Sequence, residues 1–242
     1  MDGQPTPGRD LILRDVKTET STVAARPDAA GFVLAGGRST RMGEDKALVL
    51  FRGQPLVAHA LGILRQAGLT ASVAGSRSPL AAFAPVVEDS NADLGPLGGI
   101  CAALASTSAR WAVFLPVDLP LMPASLVVFL LDHARITRRA VTLCSVSGYA
   151  QTFPAVVDRA ALPVLETELA GGRRGCFSAF EASAASLGQP VTIRAVELLV
   201  QAGQLAHPDG LPAARWFLNT NAPADLRRAE ACQSKALPSA GA

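Results

Sequence analysis

From residue 30 onward, short apolar runs alternate with stretches that carry apolar residues at helical spacing. Ala30 to Ala35 is a compact apolar run followed by paired glycines, the form of a buried parallel strand. Pro55 stands where a first helical residue is favoured, and Leu56, Ala60, Ile63 and Leu64 supply a helical stripe ending at Gly68. Strands are predicted at Thr70 to Ala74, Val86–Val87 and Trp111 to Val117, with helices at Leu97 to Ala105 and Pro123 to Ala134. Further strands are predicted at Ala140 to Cys144, Phe153 to Val157, Val191 to Ala195 and Trp216 to Leu218. Helices are predicted at Arg159 to Leu169 and Pro223 to Ala231. Apolar strands separated by helices mean an α/β fold, a mostly parallel sheet with helices on both faces. In such folds ligands bind beyond the carboxyl ends of the strands, where strand order reverses. The residues just after each strand are therefore the place to look for chemistry.

The flanks read differently. Residues 1–29 mix Pro, Thr, Ser, Asp and Arg without sustained periodicity and read as a flexible extension, with one short strand signal at Leu11-Ile12-Leu13. Residues 30–232 form the predicted domain, and 233–242 read as a frayed tail. The chain has 242 residues, 49% hydrophobic and 17% charged, enough for one substantial core. A net charge of +2 gives no broad basic field for nucleic acid, so an anion must be gripped locally. Cys101, Cys144, Cys176 and Cys232 lie far apart without neighbouring histidines, which argues against a zinc site and for a reduced, cytoplasmic setting. No apolar run reaches the roughly 20 residues that span a bilayer, and no membrane partner is expected.

Three loops carry the candidate chemistry. Leu34 to Lys46 places Gly36 and Gly37 directly after the first strand, where backbone N–H groups can approach phosphate oxygens without a side chain in the way. Arg38, Arg41 and Lys46 add cations suited to a triphosphate. The spacing is neither a Walker A loop nor G-x-G-x-x-G, so an NAD-binding domain is not signalled. Glu88 to Gly99 ends in Gly98 and Gly99, read as a helix start with open amides. In Phe114 to Met122, Asp118 follows an apolar strand between Pro116 and Pro120. One stiffly held carboxylate opposite a phosphate loop suits magnesium, which often uses one or two carboxylates plus the substrate's own phosphates. A later signal, Phe217 to Leu226, offers Asn219 or Asn221 over the same sheet edge; each by itself is an ordinary Asx cap.

Together these loops resemble the molybdenum cofactor guanylyltransferase family, within the MobA-like NTP transferases. Leu34 to Lys46 matches LAGG-x-S-x-RMG-x-DK, Gly95 to Gly99 matches GPL-x-G, Asp118 and Pro120 match the metal aspartate and its proline, and Asn219 to Pro223 matches N-x-N-x-P. They occur in family order across residues 30–232. The resemblance implies a Rossmann-like nucleotidyltransferase fold with Mg2+ as cofactor and GTP and molybdopterin as partners. Molybdoenzymes or their maturation chaperones are the implied protein partners. It implies nucleotide contacts at Leu34, Ala35, Gly36, Gly37, Asp89 and Gly95, a phosphate-binding Lys46 beside Arg41, and Asp118 as magnesium ligand. Asn219, Asn221, Arg173 and Arg174 are implied on the acceptor side. The chain departs from the family pattern at Ala74, at Gly98 and at Thr152-Phe-Pro-Ala155, which lacks the basic residue common before this proline.

The implied reaction is attack of the molybdopterin phosphate on the α-phosphorus of GTP, with pyrophosphate leaving. A sibling enzyme (a molybdopterin cytidylyltransferase, a sugar-1-phosphate transferase or a phospholactate transferase) is the alternative within the class. A non-catalytic nucleotide-binding maturation factor is the alternative outside it. His59, His133 and His207 are dispersed and read as packed or surface residues, and Cys176 has no partner in the sequence.

Overall fold

A computed structural model describes residues 24–35, 45–75, 78–88 and 94–234. In chain order they form β1 (Ala29–Leu34), a 3-10 turn (Lys46–Leu48), the small hairpin β2 (Leu50–Phe51) and β3 (Gln54–Pro55), α1 (Leu56–Gln66), β4 (Thr70–Ala74), β5 (Val86–Val87), α2 (Gly95–Ser106), β6 (Trp111–Pro116) and α3 (Ala124–Thr137). There follow β7 (Val141–Val146), β8 (Tyr149–Asp158), α4 (Leu162–Ala170), α5 (Cys176–Ser186), β9 (Thr192–Ala195), α6 (Val196–Gln201), α7 (Ala213–Trp216) and α8 (Pro223–Ser234). The main sheet has the order β5-β4-β1-β6-β8-β7-β9. Its pairings are parallel except where β8 lies antiparallel between β6 and β7. The predicted α/β architecture is the observed one.

Side chains of the central strands alternate between two apolar layers, as the period of two in a strand requires. Ala29 and Val33 of β1 join Trp111, Val113 and Leu115 of β6 in a core under α1 and α3. Ala30, Phe32 and Leu34 join Ala112 and Phe114 in a second core under α2, α4 and α5. Because both faces are covered, β1 is buried at every position and reads as a continuous apolar run. Helix α1 packs so closely on β1 that a Cβ at Gly31 would lie 3.1 Å from Leu64 Cδ1. Burying a leucine such as Leu64 completely stabilises the fold by about 2 kcal/mol.

The chain departs from the sequence reading in several places. Trp216 to Leu218 is not a strand. Residues Ala213–Trp216 form one helical turn after Pro212, and the buried Trp216 indole donates to the Leu211 carbonyl at 2.8 Å. Three apolar residues in a row were too short a run to separate strand from turn. Pro55 and Pro123 are extended residues just before α1 and α3, so each helix starts one residue later than expected. Helix α5 was not predicted, because its buried stripe of Ala179, Phe180, Ser183 and Ala184 is made mostly of small residues. Ahead of β1, within the segment read as a flexible extension, Arg26 pairs with Asp132 of α3 and its N–H donates to the Gly68 carbonyl at 3.2 Å. Asp28 accepts from Arg135 Nε at 3.0 Å. The strand signal at Leu11–Leu13 lies outside the described residues. Among the described residues no helix is long and apolar enough to cross a membrane.

Strand order reverses at β1, whose neighbours are β4 on one side and β6 on the other. The carboxyl edge of β1 and β6 is therefore a topological switch point, where an open α/β sheet forms a crevice. Strand β8 runs the opposite way, with Ala155 beside Phe114, so its residues 151–153 reach this same edge.

Candidate active site

The switch point holds a cavity of about 380 Å³ lined by Leu34, Lys46, Pro96, residues 116–119, residues 151–153 and Asn219. Ties between strand ends set its floor. Ala35 N–H donates to the Ala74 carbonyl at 3.2 Å, and Val117 N–H donates to the Leu34 carbonyl at 3.3 Å. Asp118 is thereby delivered to the mouth of β6, one residue beyond a backbone bonded to β1.

Lys46 arrives from the other side. Asp45 caps the 3-10 turn that Lys46 begins, its Oδ1 accepting the Ala47 N–H at 3.0 Å. That cap explains why an aspartate precedes this lysine: it fixes the turn that aims the ammonium inward. Lys46 Nζ lies 2.9 Å from Asp118 Oδ2 and also donates to Asn221 Oδ1. The Lys46 and Asp118 side chains are only 19% and 21% exposed, so the pair is screened less than a surface ion pair.

Asn221 is presented by a local device. Asp225, in the first turn of α8, accepts the N–H groups of Asn221 at 3.1 Å and Ala222 at 2.9 Å. The cap of α8 is therefore supplied from inside the helix, and the Asn221 side chain is left to reach Lys46. The Asx-cap reading of Asn221 is thus replaced. Thr220, completely buried, donates its N–H to the Asp118 carbonyl at 3.1 Å. The sequence reading missed Asp45, Thr220 and Asp225. A signal existed for the first and last, since Asp45 stands at the cap of an element and Asp225 in the first turn of one.

Other candidates fall elsewhere. Gly95 opens α2 at φ +69°, with Pro96 next to it lining the cavity. Gly98 and Gly99 lie inside α2 rather than at its start, so its open amides belong to earlier residues. A Cβ on Gly99 would meet the Gly75 Cα at 3.7 Å, which shows how closely α2 approaches the end of β4. Arg173 and Arg174 sit in the turn between α4 and α5 and do not line the cavity. Arg173 Nη2 donates to Glu168 Oε1 at 2.7 Å, and this bond holds the Glu168 carboxyl below its ordinary value. Gly36, Gly37, Arg41 and Asp89 lie outside the described residues, as does Arg38. Burial pushes the Cys176 thiol up to about 11, which leaves it protonated and unreactive near neutrality.

The match to known proteins agrees with the fold. Residues 31–205 match the MobA-like NTP transferase domain. The chain belongs to that family. It is 36% identical over 155 residues to a molybdenum cofactor guanylyltransferase of Pseudomonas putida, a match covering 62% of this chain and 81% of that protein. A second protein of that name, from Xanthomonas euvesicatoria, is 47% identical over 98 residues, covering 40% of this chain and half, 50%, of the relative. The fold matches molybdopterin-guanine dinucleotide biosynthesis protein A from Archaeoglobus fulgidus with TM-score 0.67 at 22% identity, over 85% of this chain and 99% of that one. It also matches 2-C-methyl-D-erythritol 4-phosphate cytidylyltransferase from Thermus thermophilus with TM-score 0.57 at 17% identity, over 83% and 96% of the two chains.

Family members are nucleotidyltransferases, and the donor set here suits the divalent ion such enzymes use. Among the described residues no cluster of three His, Cys, Asp or Glu forms an all-protein cage. Instead Asp118 Oδ2 and Asn221 Oδ1 converge on one positive centre, the Lys46 ammonium, which stands in for a cation. Two hard oxygens, one of them on Asp118 in the wall of the open cavity, fit an ion that keeps its remaining positions for water and substrate phosphate.

Proposed function

We propose that the protein transfers GMP from GTP to the terminal phosphate of molybdopterin, releasing pyrophosphate. The observation that carries the reading is the meeting of Lys46, Asp118 and Asn221 at the cavity of about 380 Å³ on the switch point. A phosphate nucleophile is already ionised near neutrality, so no general base is needed. Catalysis then rests on positioning and on charge stabilisation.

In this reading Mg2+ would be held by Asp118 with Asn221, and when bound it neutralises charge on the phosphates and orients them. Lys46 leaves the oxygen pair and turns to the triphosphate, keeping a cation against the phosphates throughout. Gly36, Gly37 and Arg41 complete the phosphate cradle, with Leu34, Ala35, Asp89 and Gly95 toward the nucleoside. Residues 151–153 and Asn219, on the other lip, face the acceptor, with Arg173 and Arg174 at its outer edge. An oxygen of the acceptor phosphate forms a bond to the α-phosphorus while the bond to the β-phosphate oxygen breaks, and pyrophosphate carries that electron pair away.

Incubating the protein with molybdopterin, Mg2+ and GTP or CTP, each labelled at the α-phosphate, tests the proposal. Label appearing in a dinucleotide with one pyrophosphate released per transfer, and with GTP preferred, is the expected result. Preference for CTP would reassign the base, and nucleotide binding without pyrophosphate would point to a maturation factor.

A further inference from the structure

The loop that carries Asp118 is short of backbone hydrogen-bond donors. Pro116, Pro120 and Pro123 supply no N–H groups, so the carbonyls around them need donors from elsewhere. Within the loop, Met122 N–H reaches the Leu119 carbonyl at 3.2 Å. The side chains of Leu119, Leu121 and Met122 pack into the core, while residues 120–124 also border a second cleft of about 230 Å³ that His207 lines.

The missing donors come from residues 205–221. Thr220 N–H takes the Asp118 carbonyl at 3.1 Å, and His207 Nε2–H takes the Leu121 carbonyl at 3.1 Å. Ser125 Oγ donates in return to the Ala206 carbonyl at 3.1 Å. His207 is itself fixed. Only 8% exposed, it accepts the Asp209 N–H on Nδ1 at 3.0 Å, which leaves the proton on Nε2, the nitrogen facing Leu121. Trp216 packs against the imidazole with ring centres 5.9 Å apart. One neutral tautomer is thus selected and aimed. His207 also lies beyond residues 31–205, the span of the family match.

We infer that His207 is a positioning residue: through the Leu121 carbonyl it sets where the Asp118 carboxylate stands, and hence how well the site takes its divalent ion. This rests on the reading of Asp118 as the ion's ligand. Groups that orient a ligand from behind commonly change metal affinity by about 10-fold to 100-fold. The lower figure applies here, because His207 acts on the loop and not on the carboxylate.

The test measures Mn2+ affinity in the presence of GTP, by electron paramagnetic resonance, for the wild type, His207→Leu, His207→Gln and Asp118→Ala, with thermal melting alongside. His207→Leu keeps bulk but removes both hydrogen bonds, while His207→Gln restores a donor for Leu121. Expected is an affinity about 10-fold weaker in His207→Leu and within about twofold of wild type in His207→Gln, both read well below the melting temperatures, with His207→Leu melting lower because the buried Leu121 carbonyl loses its donor. Wild-type affinity in His207→Leu, or equal loss in both variants, overturns the inference. If Asp118→Ala binds the ion as well as wild type, the reading of Asp118 fails instead. A 15N spectrum of the wild type gives an answer even if a variant does not fold: Nδ1 must be unprotonated, and a proton there overturns the inference.

Discussion

In front of Asp118 the contacts are ionic, with an ammonium 2.9 Å from the carboxylate and an amide oxygen completing the set. Behind it they are neutral: an imidazole on the Leu121 carbonyl and a backbone amide on the Asp118 carbonyl, both in buried surroundings. The contrast separates two tasks. Front contacts are suited to exchange, since another cation can take the lysine's place without leaving the carboxylate unpaired in a partly buried site. Rear contacts are suited to permanence, since breaking them leaves a buried carbonyl without a donor at a cost of about 1–3 kcal/mol. A site that must load and release a charged substrate while holding its geometry needs both.

Removing the carboxylate should have the largest effect. Asp118→Ala is expected to lower pyrophosphate release from GTP and molybdopterin by about 100-fold to 1,000-fold, the scale of losing a main electrostatic group in a transition state. Activity within tenfold of wild type would remove the front cluster from the chemistry. A smaller loss is expected from Asn221→Ala, which deletes one of two oxygens: ion affinity about 10-fold weaker, with melting little changed. Isothermal titration with Mn2+ and GTP reads this directly.

The smallest effect lies away from the loop and calibrates what a partly exposed ion pair contributes. Burial alone would raise the Asp132 carboxyl, but Arg26 and then Arg135 hold it below its ordinary value of 3.8. Its stabilisation is therefore full above pH 3.8 and fades as the pH falls through the lowered folded value. Because the Asp132 side chain is 43% exposed, Arg26→Met should cost only about 0.5 kcal/mol near neutrality. Urea unfolding at two pH values checks the sign: the gap between wild type and variant must close in acid.

The sequence disclosed the front of the site better than the back, for physical reasons. Asp118 follows a strand buried on both faces, and such strands show as unbroken apolar runs, so the position beyond them can be found by inspection. Lys46 stands beside its own cap, Asp45, a local arrangement that the chain spells out. Asn221 meets Lys46 across 175 positions, and no local pattern encodes that contact. The sequence reads His207 as a packed or surface histidine; it is packed, and nothing local points to the carbonyl it serves 86 residues earlier. The misassigned strand at Trp216 and the unpredicted helix α5 share one cause: the stretches are too short or too small in side chain for periodicity to distinguish their partners.

The central claim is that the Lys46 ammonium occupies the seat of the divalent ion until nucleotide arrives. Mn2+ affinity measured without nucleotide, for wild type and Lys46→Met, tests it most directly. The account predicts tighter ion binding in Lys46→Met, because the competing charge is gone, together with weaker binding of GTP. Unchanged or weaker ion binding in that variant would contradict it.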